Sequence, residues 1–406
     1  MKILIPTIGT RGDIQPYIAL SLGLMHAGHT VTLASHPCMS TLAEEYGIPF
    51  TPIGPDIDIA GETDIIRRNS PHWMIGFMRV MKFSFTMLEK SHNDLLNLCQ
   101  DIDLVIVSHT AAGSIEADKL NLPTLSVTLT PEAIPANDPA DIFFKKMMMK
   151  IAGAGMGLMM TRPINQIRKR VGVPPMGPTG ITSSKLNLVP ISPAVSPPNP
   201  LWEPRHTVTG YWYAPAPQDW DPPQDLLDFL NAGEAPLVVS LGAMALSGSD
   251  ALEAATITVQ AIQNAGMRAI IQGWDEAMPQ IDLPESVLHV GSIPHDWLLS
   301  RACGLVHHGG FGTTAAGFKA GIPALVIPHI IDQFIWGNKV ASLEVGPKPI
   351  ARNKLTVENM SAALIEMQDQ HMKAKASQLG EAIRAEPDGV KLAVELISQS
   401  QLKKPL

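Results

Sequence analysis

The densest chemistry in the chain is the run His307-His308-Gly309-Gly310-Phe311-Gly312-Thr313-Thr314. It follows an apolar stretch, Gly304–His307, that reads as a strand, and it opens a helical pattern over Gly312–Ala320. Glycines let a backbone come close to a diphosphate, and a helix start offers unpaired N–H groups and a positive dipole end. Thr313 and Thr314 can add hydroxyl donors there. No Lys or Arg lies between Arg301 and Lys319, and no Gly-Lys-Ser/Thr follows. The expected site is therefore built from amides, hydroxyls and an imidazole, and is not a P-loop. A Gly-rich turn without ligand is the plainer alternative. A metal reading of His307 and His308 is poorer, because neighbours on a strand point to opposite faces and no third ligand is near in sequence. Some twenty residues on, the strand Ala324–Ile327 ends in Pro328-His329-Ile330-Ile331-Asp332-Gln333. Asp332 and Gln333 supply an acceptor and an amide, a pair suited to the hydroxyls of a sugar, although Asp332 could equally cap the following helix.

These residues need a frame that ends strands at a common edge. Lys2–Ile5, Thr30–Ala34, Asp103–Val107 and Thr124–Thr128 read as strands, with helices at Ile18–His26 and Ala111–Lys119. Between Pro190 and Pro223 stand ten of the 35 prolines, so this stretch is expected to be an extended connector. The pattern then restarts. Strands are expected at Leu237–Leu241, Arg268–Gln272, Ser286–Val290, Gly304–His307 and Pro323–Ile327, with helices at Ala251–Ala265, Trp297–Ser300 and Gly312–Ala320. Glu358–Ser398 reads as helical with a break at Pro387–Gly389. Two α/β halves of this kind bind ligands beyond the carboxyl ends of their strands.

Composition narrows the function. The chain has 406 residues, enough for two or three domains at roughly 100–200 residues each. Its formal charge of −8 argues against a general nucleic-acid binder, which needs a basic face. Cys38, Cys99 and Cys303 form no zinc or disulfide pattern, so a cytoplasmic setting is the expectation. The opening apolar run is broken by Pro6 and closed by Arg11 and Asp13, which reads as a buried strand and not a signal peptide. A nicotinamide dinucleotide is disfavoured, because the first turn, Gly9-Thr10-Arg11-Gly12, lacks GxGxxG and the second strand ends Leu33-Ala34-Ser35 without an acid.

Several motifs together carry a resemblance. They are Gly9-Thr10-Arg11-Gly12-Asp13-Ile14-Gln15-Pro16-Tyr17, Val208-Thr209-Gly210-Tyr211-Trp212, Ser240-Leu241-Gly242-Ala243-Met244, Ile293-Pro294-His295-Asp296-Trp297-Leu298, the His308 loop, and Asp332-Gln333 with Trp336-Gly337. The chain resembles the GT-B glycosyltransferases that use UDP- or dTDP-sugars, in particular the sterol glucosyltransferases and the vancomycin- and macrolide-type antibiotic glycosyltransferases. The resemblance implies an α/β fold of two Rossmann-like, doubly wound domains facing a central cleft. It divides the chain into an acceptor domain over 1–195, a Pro-rich linker over 196–225, a sugar-nucleotide domain over 226–380, and a last helix over 381–406 that crosses back to the first domain. It implies that His308, Gly310, Gly312, Thr313 and Thr314 hold the diphosphate and that Asp332 and Gln333 hold the sugar. It also implies that Ile293 meets the uracil through its backbone, that the loop of Gly242 and Ala243 approaches the phosphates, and that Thr10 and Arg11 face the donor. Ala243 stands where a Ser or Thr is usual, which removes one hydroxyl from that loop.

Transfer to a hydroxyl needs a base and a stabilised leaving group. Asp13, in the loop after the first strand, matches the position of the base in these branches; a carboxylate there could also cap a helix. His109 follows the strand Asp103–Val107 and could pair with Asp13, line the acceptor pocket, or be an ordinary loop histidine. Direct displacement would invert an α-linked donor to a β-glycoside, with no metal or other cofactor expected. The acceptor is read from Met-rich stretches. Met74, Met78 and Met81 lie in His72–Lys90, and Phe144 and Met148 lie in Phe143–Met160. Adaptable Met side chains suit a pocket for a sterol, terpenoid, polyketide or flavonoid, and equally suit helix core. Lys145, Lys146 and Lys150 add the reading of a peripheral membrane contact. The expected function is thus an inverting transfer of a hexose, glucose foremost, from a UDP-sugar to a lipophilic alcohol. A silent sugar-nucleotide binder and a sugar-nucleotide epimerase are the alternatives.

Overall fold

A computed structural model describes residues 1–58, 61–62, 65–66, 73–134, 161–177, 182–216, 220–241 and 248–400, with backbone only at 73, 74, 77, 133, 331 and 332. The chain forms two compact units. The first gathers Met1–Asp58, Met81–Ala214 and Glu386–Leu406, and the second gathers Ile59–Val80 and Pro215–Ala385.

The first unit is organised by the strands β1 (Lys2–Pro6), β2 (Thr30–Ser35), β3 (Phe50–Pro52), β4 (Leu104–Val107), β5 (Thr124–Val127), β6 (Asn187–Val189) and β7 (His206–Val208). They lie in the order β3-β2-β1-β4-β5-β6-β7, and every pairing is parallel. A parallel sheet is covered on both faces, so its strands read as unbroken apolar runs. Ile3, Leu4 and Ile5 are each fully buried, as are Leu104, Val105 and Ile106. Each such side chain contributes about 1.5–3 kcal/mol of burial. The strand order turns back at β1 and β4, which places the switch point, where open sheets of this kind bind ligands, at the loops after Pro6 and Val107.

The helix Arg11–His26 covers one face with Ile14, Tyr17, Ile18, Ser21 and Leu24, a 3–4 spacing that forms one buried stripe. The helix Gly389–Gln399 packs against it and belongs to the same unit. Gly23 makes that approach possible, since a Cβ there would collide with Val390.

The Pro-rich stretch differs from the connector expected of it. Residues 206–208 form β7, and Tyr211 and Trp212 beyond it are buried. The prolines flank this strand and do not interrupt it, and β7 lies at the sheet's edge, where missing N–H groups cost least. The larger segment of the second unit begins at Pro215.

That unit repeats the frame with β8 (Leu237–Ser240), β9 (Ala269–Gln272), β10 (Val287–Val290), β11 (Gly304–His307) and β12 (Ala324–Val326). The order is β10-β9-β8-β11-β12, again all parallel, with the reversal at β8 and β11. Its core joins Leu237, Val239, Ile271, Val306 and Leu325 to the helices Gly248–Asn264 and Val357–Glu366. Among the described residues no helix is long and apolar enough to cross a membrane.

Candidate active site

In the first unit the switch point holds a hydrogen-bonded group of side chains. Gly9, at φ +143°, turns the chain out of β1, and a Cβ on it would strike the Asp13 carboxylate. Asp13 occupies the first turn of the helix Arg11–His26. Its Oδ2 accepts the Thr10 backbone N–H at 2.7 Å and the Thr10 hydroxyl at 3.0 Å. Its Oδ1 lies 3.2 Å from His109 Nε2. One oxygen therefore caps the helix start while the other faces an imidazole from the loop after β4, so the capping role and the pairing coexist. Burial works to raise the pKa of Asp13, but the hydrogen bond with His109 and the two from Thr10 hold it below the ordinary value. The carboxylate is thus kept ionised at neutral pH.

Behind this pair stands Tyr17, a residue to which the motif reading attached no role. It is fully buried, its hydroxyl oxygen accepts the His109 backbone N–H at 3.0 Å, and the same oxygen is 3.0 Å from His109 Nδ1. The signal that could have found it is its spacing, four residues after Asp13 on one helical face. Thr10 is half-buried and Arg11 is exposed, at the first residue of the helix.

Apolar residues border the loops that carry this group. Ile8, Ala111 and Ala112 cluster with Met87, Leu88, Ile115, Ile164 and Ile167. Met87 is therefore helix core. Of the methionines and phenylalanine singled out as acceptor lining, Met81 is half-buried and Met78 is 52% exposed. The Met74 side chain, Phe144 and Met148 lie outside the described residues.

In the second unit the Gly-rich run does leave a strand and enter a helix, β11 to Phe311–Ala320. Gly309 has φ +91°, and a Cβ there would come within 2.7 Å of Val326 Cγ1 and 2.8 Å of the Gln333 carbonyl oxygen. Gly310 caps the helix, and the His308 ring folds so closely over it that a Cβ would strike Nε2. Around Gly312 there is open space to 4 Å. Thr313 is half-buried. Thr314 differs from the expectation: it is buried, and its hydroxyl donates to the Gly310 carbonyl at 2.8 Å, so it fastens the first turn and does not offer its proton outward.

His307 is fully buried and accepts the Gly309 N–H on Nδ1 at 3.1 Å, while burial drives its pKa well below the ordinary value. It is a neutral structural histidine at the base of the loop. Among the described residues no group of three His, Cys, Asp or Glu side chains could hold a metal ion.

Two further expectations change in detail. The Gln333 side-chain oxygen accepts the N–H of His329 at 2.7 Å and of Ile330 at 3.2 Å, so Gln333 secures its own loop and keeps only its NH₂ for a ligand. The side chain of Asp332 lies outside the described residues, as do Gly242 and Ala243. Ile293 is buried in the loop after β10, where Gln272 Nε2 donates to its carbonyl at 3.3 Å and to that of Gly291 at 3.2 Å. Gln272 is a positioning residue for that loop that the motifs did not flag.

Residues 3–124 match the glycosyltransferase family 28 N-terminal domain, and residues 250–398 match the erythromycin biosynthesis protein CIII-like C-terminal domain. Sterol 3-beta-glucosyltransferases of Emericella nidulans and Komagataella phaffii are 32% and 31% identical over 98% of this chain. The chain spans 30% and 34% of their lengths, about a third. Among solved structures, the glycosyltransferase VinC in complex with DTDP superposes with a TM-score of 0.72 at 21% identity, covering 98% of this chain and 99% of that one. SnogD from Streptomyces nogalater gives 0.70 at 22%, with the same coverage. These structural likenesses show the fold.

Proposed function

We propose, from these likenesses, that the chain is a GT-B glycosyltransferase and that it moves a hexose from a UDP-sugar to the hydroxyl of a lipophilic small molecule, with inversion at the anomeric carbon. The observation that carries the reading is the Asp13 carboxylate, ionised and turned toward His109 at the switch point of the first sheet. As the acceptor oxygen attacks C1 of the sugar, its proton passes to Asp13. The bond from C1 to the diphosphate breaks, and UDP leaves with that electron pair. An α-linked donor gives a β-glycoside. The growing charge on the diphosphate is met by the amides at the start of the helix Phe311–Ala320 and by His308, which supply fixed dipoles without a metal.

Glucose as the sugar and a sterol as the acceptor follow from the likeness to the fungal sterol 3-beta-glucosyltransferases. A cytoplasmic setting fits three widely spaced cysteines that form no framework. Peripheral contact with a membrane would bring a sterol within reach of the first unit.

The test is transfer from UDP-glucose to cholesterol, read by mass as a gain of one hexose together with free UDP. Asp13→Asn is expected to lower kcat by about 10²–10⁴-fold with UDP affinity unchanged, the loss typical of a missing base. A silent sugar-nucleotide binder would bind UDP in both proteins and transfer to no acceptor in either. An epimerase would interconvert sugars without an acceptor.

A further inference from the structure

The hydrogen bonds around His109 leave little freedom in where its proton sits. An ionised Asp13 can only accept, so the nitrogen facing it, Nε2, carries the proton. A neutral imidazole has one N–H, and Nδ1 is therefore an acceptor. The group at Nδ1 is the Tyr17 hydroxyl, whose oxygen already receives the backbone N–H of His109 and whose own proton is left to donate. Tyr17 is fully buried, and its ring lies parallel to the imidazole within 3° at a centroid separation of 6.0 Å. Trp212 packs edge-on against Tyr17 at 6.5 Å and spends its Nε1–H on the Thr209 hydroxyl and the Gly389 carbonyl. The phenol is thus wedged in one orientation.

We propose that Tyr17 is a positioning residue of the proton-accepting site: its hydroxyl fixes the imidazole of His109 with Nε2–H aimed at Asp13, so that Asp13 alone can take the acceptor's proton. The proposal rests on the reading of Asp13 as the base. Both nitrogens of His109 are committed, which makes His109 a steering group for the carboxylate and denies it the role of base. Burial and the nearby Asp13 charge raise the Tyr17 pKa, although the His109 backbone N–H works against them, and the hydroxyl keeps its proton through the working pH range. The groups that can charge around this hydroxyl are Asp13 on its own helix and His109 on the loop after β4. Trp212 is neutral, while Arg11 and His26 on the same helix, and Lys391 and Glu395 on the helix packed against it, are exposed to solvent.

Tyr17→Phe removes only the hydroxyl. Nδ1 is then free to take up a proton, and an imidazolium beside Asp13 makes that carboxylate a poorer base. For transfer from UDP-glucose to cholesterol, the variant is expected to lose about tenfold in kcat with the donor KM unchanged. The acid limb of its pH profile is expected to shift as well, because a proton on Nδ1 changes the charge beside Asp13. A merely structural role would leave the profile where it is. Ring ¹⁵N spectra of labelled protein give a second readout that needs no turnover: His109 as the Nε2–H tautomer in the wild type, and a mixed or protonated ring in the variant at pH 6–7. An unchanged kcat and profile, or a wild-type spectrum with the proton on Nδ1, overturns the proposal. The wild-type spectrum decides it even if Tyr17→Phe does not fold. A wild type that transfers to no acceptor while showing the Nε2–H tautomer overturns the reading of the reaction and upholds the assignment of Tyr17.

Discussion

The two units use one strand order and fill its switch point with opposite chemistry. At the carboxyl ends of β1 and β4, side chains do the work: Asp13, His109, Tyr17 and Thr10 form a hydrogen-bonded group that stores a negative charge. At the carboxyl ends of β8 and β11 the backbone does it. Gly309 and Gly310 admit the helix start, His307 is held neutral, and Thr314 and the Gln333 oxygen are consumed in shaping the loop. A carboxylate that must accept a proton needs partners that tune it. An anion that must be gripped and released is better met by fixed amides, which lose no side-chain entropy on binding.

That contrast can be broken from the second unit. His308→Ala is expected to have the largest effect there, about 10²-fold in kcat/KM, as for the loss of one donor to a developing oxyanion. Isothermal titration with UDP should show weaker binding, whereas Asp13→Asn should leave UDP binding alone. If His308→Ala bound UDP normally, the division of labour between the units would be wrong.

The glycines sharpen the point. Gly309→Ala meets Val326 and a backbone oxygen at under 3.0 Å with φ at +91°, and should cost about 1–3 kcal/mol in a denaturant melt. Gly312→Ala meets nothing within 4 Å and lies inside a helix, so it should gain up to about 1 kcal/mol of stability. Its added methyl occupies space assigned to the diphosphate, and UDP affinity should fall severalfold. Gain of stability with unchanged affinity would move the diphosphate elsewhere.

The smallest effect is one of pH. The pKa of His307 is depressed in the fold, so the unfolded chain binds the extra proton first. Its contribution is complete above the unfolded value of about 6.5 and declines as pH falls below it, by at most about 1.4 kcal/mol per pH unit. Thermal melts of His307→Gln should therefore decline less between pH 7 and pH 5 than those of the wild type.

The frame was legible where strands are buried on both faces. Ile3–Ile5, Leu104–Val107 and Leu237–Ser240 are unbroken apolar runs closed by Gly, Pro or a hydroxyl. The strands not foreseen are three residues long and carry Pro or polar side chains: Phe50–Pro52, Asn187–Val189 and His206–Val208. Asn187 is fully buried because the Ser126 and Thr128 hydroxyls donate to its side-chain oxygen and its amide pairs with His206, partners set by tertiary contact and invisible to local pattern. At the site, the turn chemistry announced the Gly-rich loop and Asp13. Which of Thr314, Gln333 and Tyr17 serves structure and which serves the reaction depended on where each proton goes, and spacing does not state that.

The helix Gly389–Gln399 that seats against Gly23 has a bearing on biosynthesis. Every residue of Pro215–Ala385 leaves the ribosome before it does. The second unit can therefore consolidate while the first still lacks a wall, with the surface around Gly23 and Leu24 uncovered and open to chaperones until the closing helix emerges.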